Sequence, residues 1–130
     1  MKKGILFLLG LLAMTSCKNE PVQVIEKTSI EIVDGQYTPE IMHRLGKISD
    51  PRISPSGEKV LYGVAYTDIE MNKSQRHLFL MNVDGSDNHQ LTHLPKSVSN
   101  ARWIDDSTIA FLMGGQIHVW NIFNGGTPLK

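Results

Sequence analysis

The chain has 130 residues, 41% of them hydrophobic and 20% charged, with 13 basic residues balanced by 13 acidic ones. That balance excludes a disordered acidic or basic tail, and it gives no support for a nucleic-acid partner, which would call for a basic excess. One cysteine excludes a disulfide framework and a cysteine-based zinc site, and the length allows one domain at most.

Much of the apolar content sits in the first 17 residues. Met1-Lys2-Lys3 is a positive start, and Ile5 to Ala13 is a short apolar core interrupted by Gly10. About ten apolar residues span about 15 Å as a helix, half of the hydrocarbon thickness a membrane-crossing helix must cover. The pattern predicts a secretory signal over residues 1–16. Met14-Thr15-Ser16-Cys17 places small residues before the only cysteine and resembles the lipobox of bacterial lipoproteins, with Met14 where Leu is more usual. The resemblance implies that Cys17 is lipidated and that the membrane is a partner through it. Two acyl chains would give stable anchoring at about 0.8 kcal/mol per buried methylene. The rival is an ordinary signal peptide that leaves Cys17 as a free thiol. Lys2 and Lys3 leave with the signal, so 11 bases then face 13 acids, a net charge of about −2.

Residues 17–37 read as a lipidated tether, although Val22, Val24, Ile30, Ile32 and Val33 could form a short strand. Residues 38–49 are a short helix and lead-in. Thr38 is a capping hydroxyl, Pro39 suits the first helical position and Glu40 places an acid in the first turn. Ile41, Met42 and Leu45 form a small apolar face, and Gly46 is expected to stop the helix. Two turns are stable only when packed on something else.

From Asp50 onward the sequence repeats itself. Arg52 to Gly57 is a strand end entering a turn. Lys59 to Tyr66 and His77 to Val83 are strands, Asp84-Gly85 is a turn, and Gln90-Leu91-Thr92 is a third extended piece. The second copy runs through Ala101 to Ile104, a turn at Asp105-Asp106-Ser107, a strand Thr108 to Met113, a Gly114-Gly115 hairpin and a strand Gln116 to Ile122. Leu78, Leu80 and Asn82 fall on Ile117, Val119 and Asn121. Tyr62 falls on Phe111, and Arg52 on Arg102. The first hairpin is longer by about ten residues, Thr67 to Gln75 being extra. The strands are largely apolar on both faces, so each sheet is expected to be covered on both sides. The predicted class is all-β: the first two blades of a β-propeller, each a four-stranded antiparallel sheet, with residues 50–98 as blade 1 and 99–130 as an incomplete blade 2. A plain antiparallel sandwich is the alternative.

The run from Thr38-Pro39-Glu40 to Leu45, then Ile48-Ser49-Asp50-Pro51-Arg52-Ile53-Ser54-Pro55-Ser56-Gly57, resembles the opening of the propeller in the prolyl oligopeptidase family of serine peptidases, closest to its dipeptidyl-peptidase and acylaminoacyl-peptidase branch. Leu80 to Ser86 with Gln90-Leu91-Thr92 is similar to the blade pattern shared with TolB-like periplasmic proteins. The resemblance covers about residues 38–126. It implies a lipid-anchored exopeptidase of the bacterial cell envelope, periplasmic or surface-exposed. The propeller would gate peptide substrate toward an α/β-hydrolase domain that follows it. A non-enzymatic TolB-like lipoprotein for protein binding is the alternative function.

No Gly-x-Ser-x-Gly elbow occurs in the sequence. The chain is therefore expected to be the front of a longer protein, its downstream blades and hydrolase domain missing. Neither a catalytic nor a cofactor residue is assigned. His89 and His93 are four apart, but Gln90 stands where a His-Glu-x-x-His zinc motif needs Glu, and the stretch reads as strand, so both are surface histidines and no metal is expected. Asp105 and Asp106 are turn formers. Arg52 and Arg102 brace a blade, His118 is a strand residue, and Trp103 and Trp120 belong to the blade core.

Overall fold

The computed structural model describes residues 23–125; the signal segment and Cys17 lie outside them. Among these residues, seven strands and one short helix follow in chain order: α1 (Pro39–Arg44), β1 (Lys47–Ile53), β2 (Lys59–Asp68), β3 (Lys73–Asn82), β4 (His89–Gln90), β5 (Val98–Trp103), β6 (Thr108–Met113) and β7 (Gln116–Asn121). They form a four-stranded sheet in the order β1-β2-β3-β4 and a three-stranded sheet β5-β6-β7. All pairings are antiparallel, so the all-β class read from the pattern holds. β1 reaches back to Lys47, because Lys47, Ile48 and Ser49 pair with Ala65, Val64 and Gly63. Most of the extra residues of the first hairpin prolong its two strands, pairing Thr67 with Ser74 and Asp68 with Lys73 around a turn at residues 69–72.

The two sheets repeat each other in register. Tyr62 pairs with Phe79 as Phe111 pairs with His118, and Lys59 with Asn82 as Thr108 with Asn121. The bulge repeats too. Pairing breaks between Ser49 and Arg52 in one sheet and between Ser99 and Arg102 in the other. Asp50 (φ 52°) and Asn100 (φ 51°) hold equivalent left-handed positions in it. Asp and Asn are the side chains that tolerate that conformation best after glycine.

The sheets stack through one core. Leu61, Leu78 and Leu80 of the first sheet meet Val98, Ala101, Ile109 and Phe111 of the second, with Trp103, Met113 and Trp120 partly buried against them. Complete burial of a side chain such as Leu61 or Ile109 is worth about 1.5–3 kcal/mol. The opposite face of the first sheet carries Tyr62, Val64 and Tyr66, with Val60, Phe79 and Met81 beside them and Ile25 packed on top. β2 is accordingly buried almost continuously, as a strand covered on both faces should be. β7 instead alternates: His118 is buried while Ile117 and Val119 face outward. Coverage on both sides thus holds for the first sheet only, among the described residues.

The helix behaves as its sequence suggests at one end. Thr38 Oγ1 accepts the Ile41 N–H at 3.3 Å, and Pro39 opens the first turn. Its other end differs from expectation. Leu45 leaves the helix in an extended conformation, with its N–H bonded to the Ile41 carbonyl, and Gly46 has no positive φ. Gly46 is required by proximity instead: a Cβ there would lie 2.7 Å from Val64 Cγ1 and 2.8 Å from Tyr66 Cε1.

Candidate functional site

The two arginines that recur in the sequence converge on one carboxylate. Asp50 sits in the bulge of β1. Its Oδ1 accepts from Arg52 Nε (3.0 Å) and Nη2 (2.7 Å), and its Oδ2 accepts from Arg102 Nη1 at 2.8 Å. Arg52 lies two residues along the same strand, whereas Arg102 reaches across from the second sheet. The Arg102 hydrogen bond is the main influence holding the Asp50 carboxyl below the usual range, and Arg52 adds to it. An aspartate held ionised in this way can only accept hydrogen bonds. It cannot serve as a general acid, and both guanidiniums already occupy it. The chemistry available here is an electrostatic latch between sheets.

Two further contacts cross at the same rim. Trp103 Nε1 donates to the Arg52 carbonyl at 3.1 Å, and Ser56 N–H donates to Asp106 Oδ1 at 2.7 Å. Asp105 ties its own turn, accepting from Ser107 N, Ser107 Oγ and Thr108 N, each at 2.8 Å. Those bonds, with that from the Ser107 backbone foremost, keep its carboxyl below the usual range. The adjacent aspartates therefore separate in role: Asp105 forms the turn and Asp106 joins the two turns. The sequence pattern identifies the turn but not the bridge.

His89 and His93 have separate partners. His89 Nδ1 lies 2.8 Å from the Asp87 carbonyl, and His93 Nδ1 lies 3.0 Å from Glu26 Oε1. His118 is buried and stacks on Phe111 with ring centroids 5.7 Å apart and planes at 15°, as Phe79 stacks on Tyr62 at 5.6 Å in the first sheet. Trp103 and Trp120 pack against the intersheet core.

The polar residues that the sequence reading missed are Gln75 and His77. Both are buried, His77 completely, and both engage the main chain of Ile25. A histidine and a glutamine entering an apolar strand were the available signal. Beside them, a cleft of about 300 Å³ runs between residues 23–28 and the β2–β3 hairpin tip, with Arg44, Asp68 and Glu70 on its walls.

No protein-family model matches the chain. Over 96 residues, 72% of its length, it is 33% identical to dipeptidyl-peptidase 5 of Porphyromonas endodontalis. Over 76 residues, 58% of its length, it is 36% identical to dipeptidyl-peptidase 5 of Porphyromonas gingivalis. Those alignments take in 14% and 11% of the two proteins, so the chain spans well under a fifth of the curated relatives it matches. Within that stretch, the chain is related in sequence to dipeptidyl peptidases.

Proposed function

We propose that the chain is the opening propeller portion of a lipid-anchored serine exopeptidase of the prolyl oligopeptidase family. In this reading Cys17 holds the protein in the cell envelope. The stacked sheets belong to a ring that admits peptides, and excludes folded proteins, on the way to an α/β-hydrolase domain further along the parent chain. The observation that carries the reading is the partial identity to two dipeptidyl-peptidase 5 proteins. The manner of stacking supports the ring. Register places Leu61 and Leu80 of the first sheet in the positions of Ala110 and Val119 of the second, and Tyr62 in the position of Phe111. The first sheet therefore meets the second with non-equivalent faces, head to tail. A closed ring of sheets is built by repeating such a contact.

The test follows the reading frame beyond Lys130. It is expected to encode further sheets in this register and then a Gly-x-Ser-x-Gly elbow. The product should incorporate labelled fatty acid, lose the label in Cys17→Ala, and release dipeptides from a chromogenic substrate until a serine-directed phosphonate stops it. The 130-residue chain assayed by itself should leave that substrate intact. Turnover by the short chain overturns the placing of catalysis in a later domain, and a continuation made of sheets alone overturns the peptidase reading. The second outcome would instead give a TolB-like binding module.

A further inference from the structure

The first sheet carries a pair of buried side chains aimed at main-chain atoms. Gln75 Oε1 accepts the Ile25 N–H at 2.6 Å, while Gln75 Nε2 donates to the Leu94 carbonyl at 2.7 Å. His77 Nε2 lies 2.7 Å from the Ile25 carbonyl oxygen. A carbonyl only accepts, so Nε2 carries the proton and donates it. Both main-chain hydrogen-bonding groups of one residue are thus read by two side chains, as a neighbouring strand would read them. The Ile25 side chain adds an apolar contact to the Tyr62, Val64 and Tyr66 cluster. Glu26 Oε1 reaches His93 Nδ1 at 3.0 Å, fixing the next residue along.

One receiving residue, Gln75, lies in the one large departure from the repeat, while His77 stands at its edge, in the register position of Gln116. Gln75 belongs to the prolonged part of the β2–β3 hairpin, a stretch that β6–β7 lacks because it turns at Gly114-Gly115. The same prolonged tip forms one wall of the cleft beside residues 23–28. The equivalent face of the second sheet, with Ile109 and Phe111, is covered by the first sheet. Among the described residues no sheet precedes the first one, and Ile25 packs on the face that corresponds to the covered face of the second.

We propose that Gln75 and His77 form a peptide-backbone receptor on the outer face of the first sheet, occupied in cis by the chain's own residues 24–26, and that the prolonged hairpin contributes Gln75 to it. The ligand class is an extended peptide with an apolar side chain between two main-chain contacts. The segment docks as a separable strap: it can leave without unfolding the sheet beneath it. This assignment is independent of the peptidase reading, since it uses only residues of this chain.

The experiment is trypsin digestion of the purified chain at submicromolar concentration, with each cut timed by mass spectrometry. Cleavage after Lys27 needs the strap to open, whereas cleavage after Lys73 or Arg76 needs the sheet to open. Ile25→Pro removes the N–H that Gln75 accepts, and Gln75→Met removes both amide contacts while nearly keeping volume. Each is expected to speed the Lys27 cut about tenfold or more while the sheet cuts keep their rate. A fluorescent peptide of residues 21–30 should then bind Ile25→Pro saturably and bind the wild type at least about tenfold more weakly, because the wild-type receptor is already filled. An unchanged Lys27 cut in both variants overturns the assignment. So does joint acceleration of the strap and sheet cuts in both, which would make the segment an inseparable part of the sheet.

Discussion

Asp50 shows how a single backbone irregularity organises an interface. The left-handed bulge, which Asp tolerates and a β-branched residue would not, places its carboxylate between the guanidiniums of Arg52 and Arg102. Its carboxyl is depressed in the folded state, with the Arg102 bond the leading cause. The stabilisation it contributes is therefore complete above the ordinary aspartate range near pH 4, and it is lost as pH falls through the lower folded value. Asp50→Asn keeps a side chain suited to the bulge, as Asn100 does in the second sheet, but removes the charge. At pH 7 the variant should unfold at lower urea than the wild type. The gap should narrow as pH falls below about 4, as wild-type Asp50 itself becomes protonated. Asp84 and Asp105 are also held below the usual carboxyl range, mainly by bonds from Ser86 and Ser107, so both proteins share their acid limb. Only the difference between the two urea midpoints reports on Asp50. A gap that stays constant with pH would show that the latch is not electrostatic.

At the scale of elements, the lead-in is held down by close approach. α1 is six residues long, too short to persist alone, and none of its residues is fully buried. Its exit passes over β2 at Gly46, where Val64 and Tyr66 leave no room for a Cβ. Gly46→Ala should cost about 1–3 kcal/mol by forcing the lead-in away from the sheet. It should also alter the near-ultraviolet circular dichroism of the tyrosine cluster. Gly35→Ala is the control. That glycine has φ +67° and open space around it, so its penalty is backbone strain of about 1–2 kcal/mol and the tyrosine signal should not change. An unaltered tyrosine signal in Gly46→Ala would refute the close-contact account. The strap at Ile25 and the Gly46 crossing lie over the same apolar cluster, so this face of the first sheet is covered by chain that precedes β1.

Among the described residues, one outer sheet face is covered and the other is open. Sheet-on-sheet packing buries Leu61, Leu80, Ile109 and Phe111, and the lead segment covers the far side of the first sheet. On the far side of the second sheet, Ile117 is 66% and Val119 40% exposed, with Ala110 and Leu112 half-buried beside them. Repeat architectures draw stability from each unit-to-unit contact, and an exposed apolar face with open strand edges favours association. Residues 18–130 expressed alone should therefore self-associate with rising concentration and melt with little cooperativity. Ile117→Lys with Val119→Lys should shift sedimentation toward monomer without disturbing the buried core. A wild-type monomer melting sharply above about 50 °C, in the range of ordinary mesophilic domains, would contradict the stacking account and favour a self-contained sandwich.

Local chemistry was sufficient for much of this architecture. Apolar strand runs, Gly114-Gly115, the Asp105 turn and the Thr38-Pro39 helix start act within a few residues. The structure places them where the pattern does, down to the matching of Tyr62 with Phe111 and Asn82 with Asn121. The repeat itself exposed the equivalence of Arg52 and Arg102. What they hold was decided by the stacking of one sheet on the other, which brings Arg102 to Asp50 across 52 positions of chain and Asp106 to Ser56 across 50. The same is true of Ile25, which reads as tether by composition and becomes part of the fold only because Gln75 and His77 meet it 50 and 52 positions later. Propensity and turn chemistry are properties of neighbours in sequence. The partners of a charged or buried polar side chain depend on which faces meet, and that is settled only when the sheets pack.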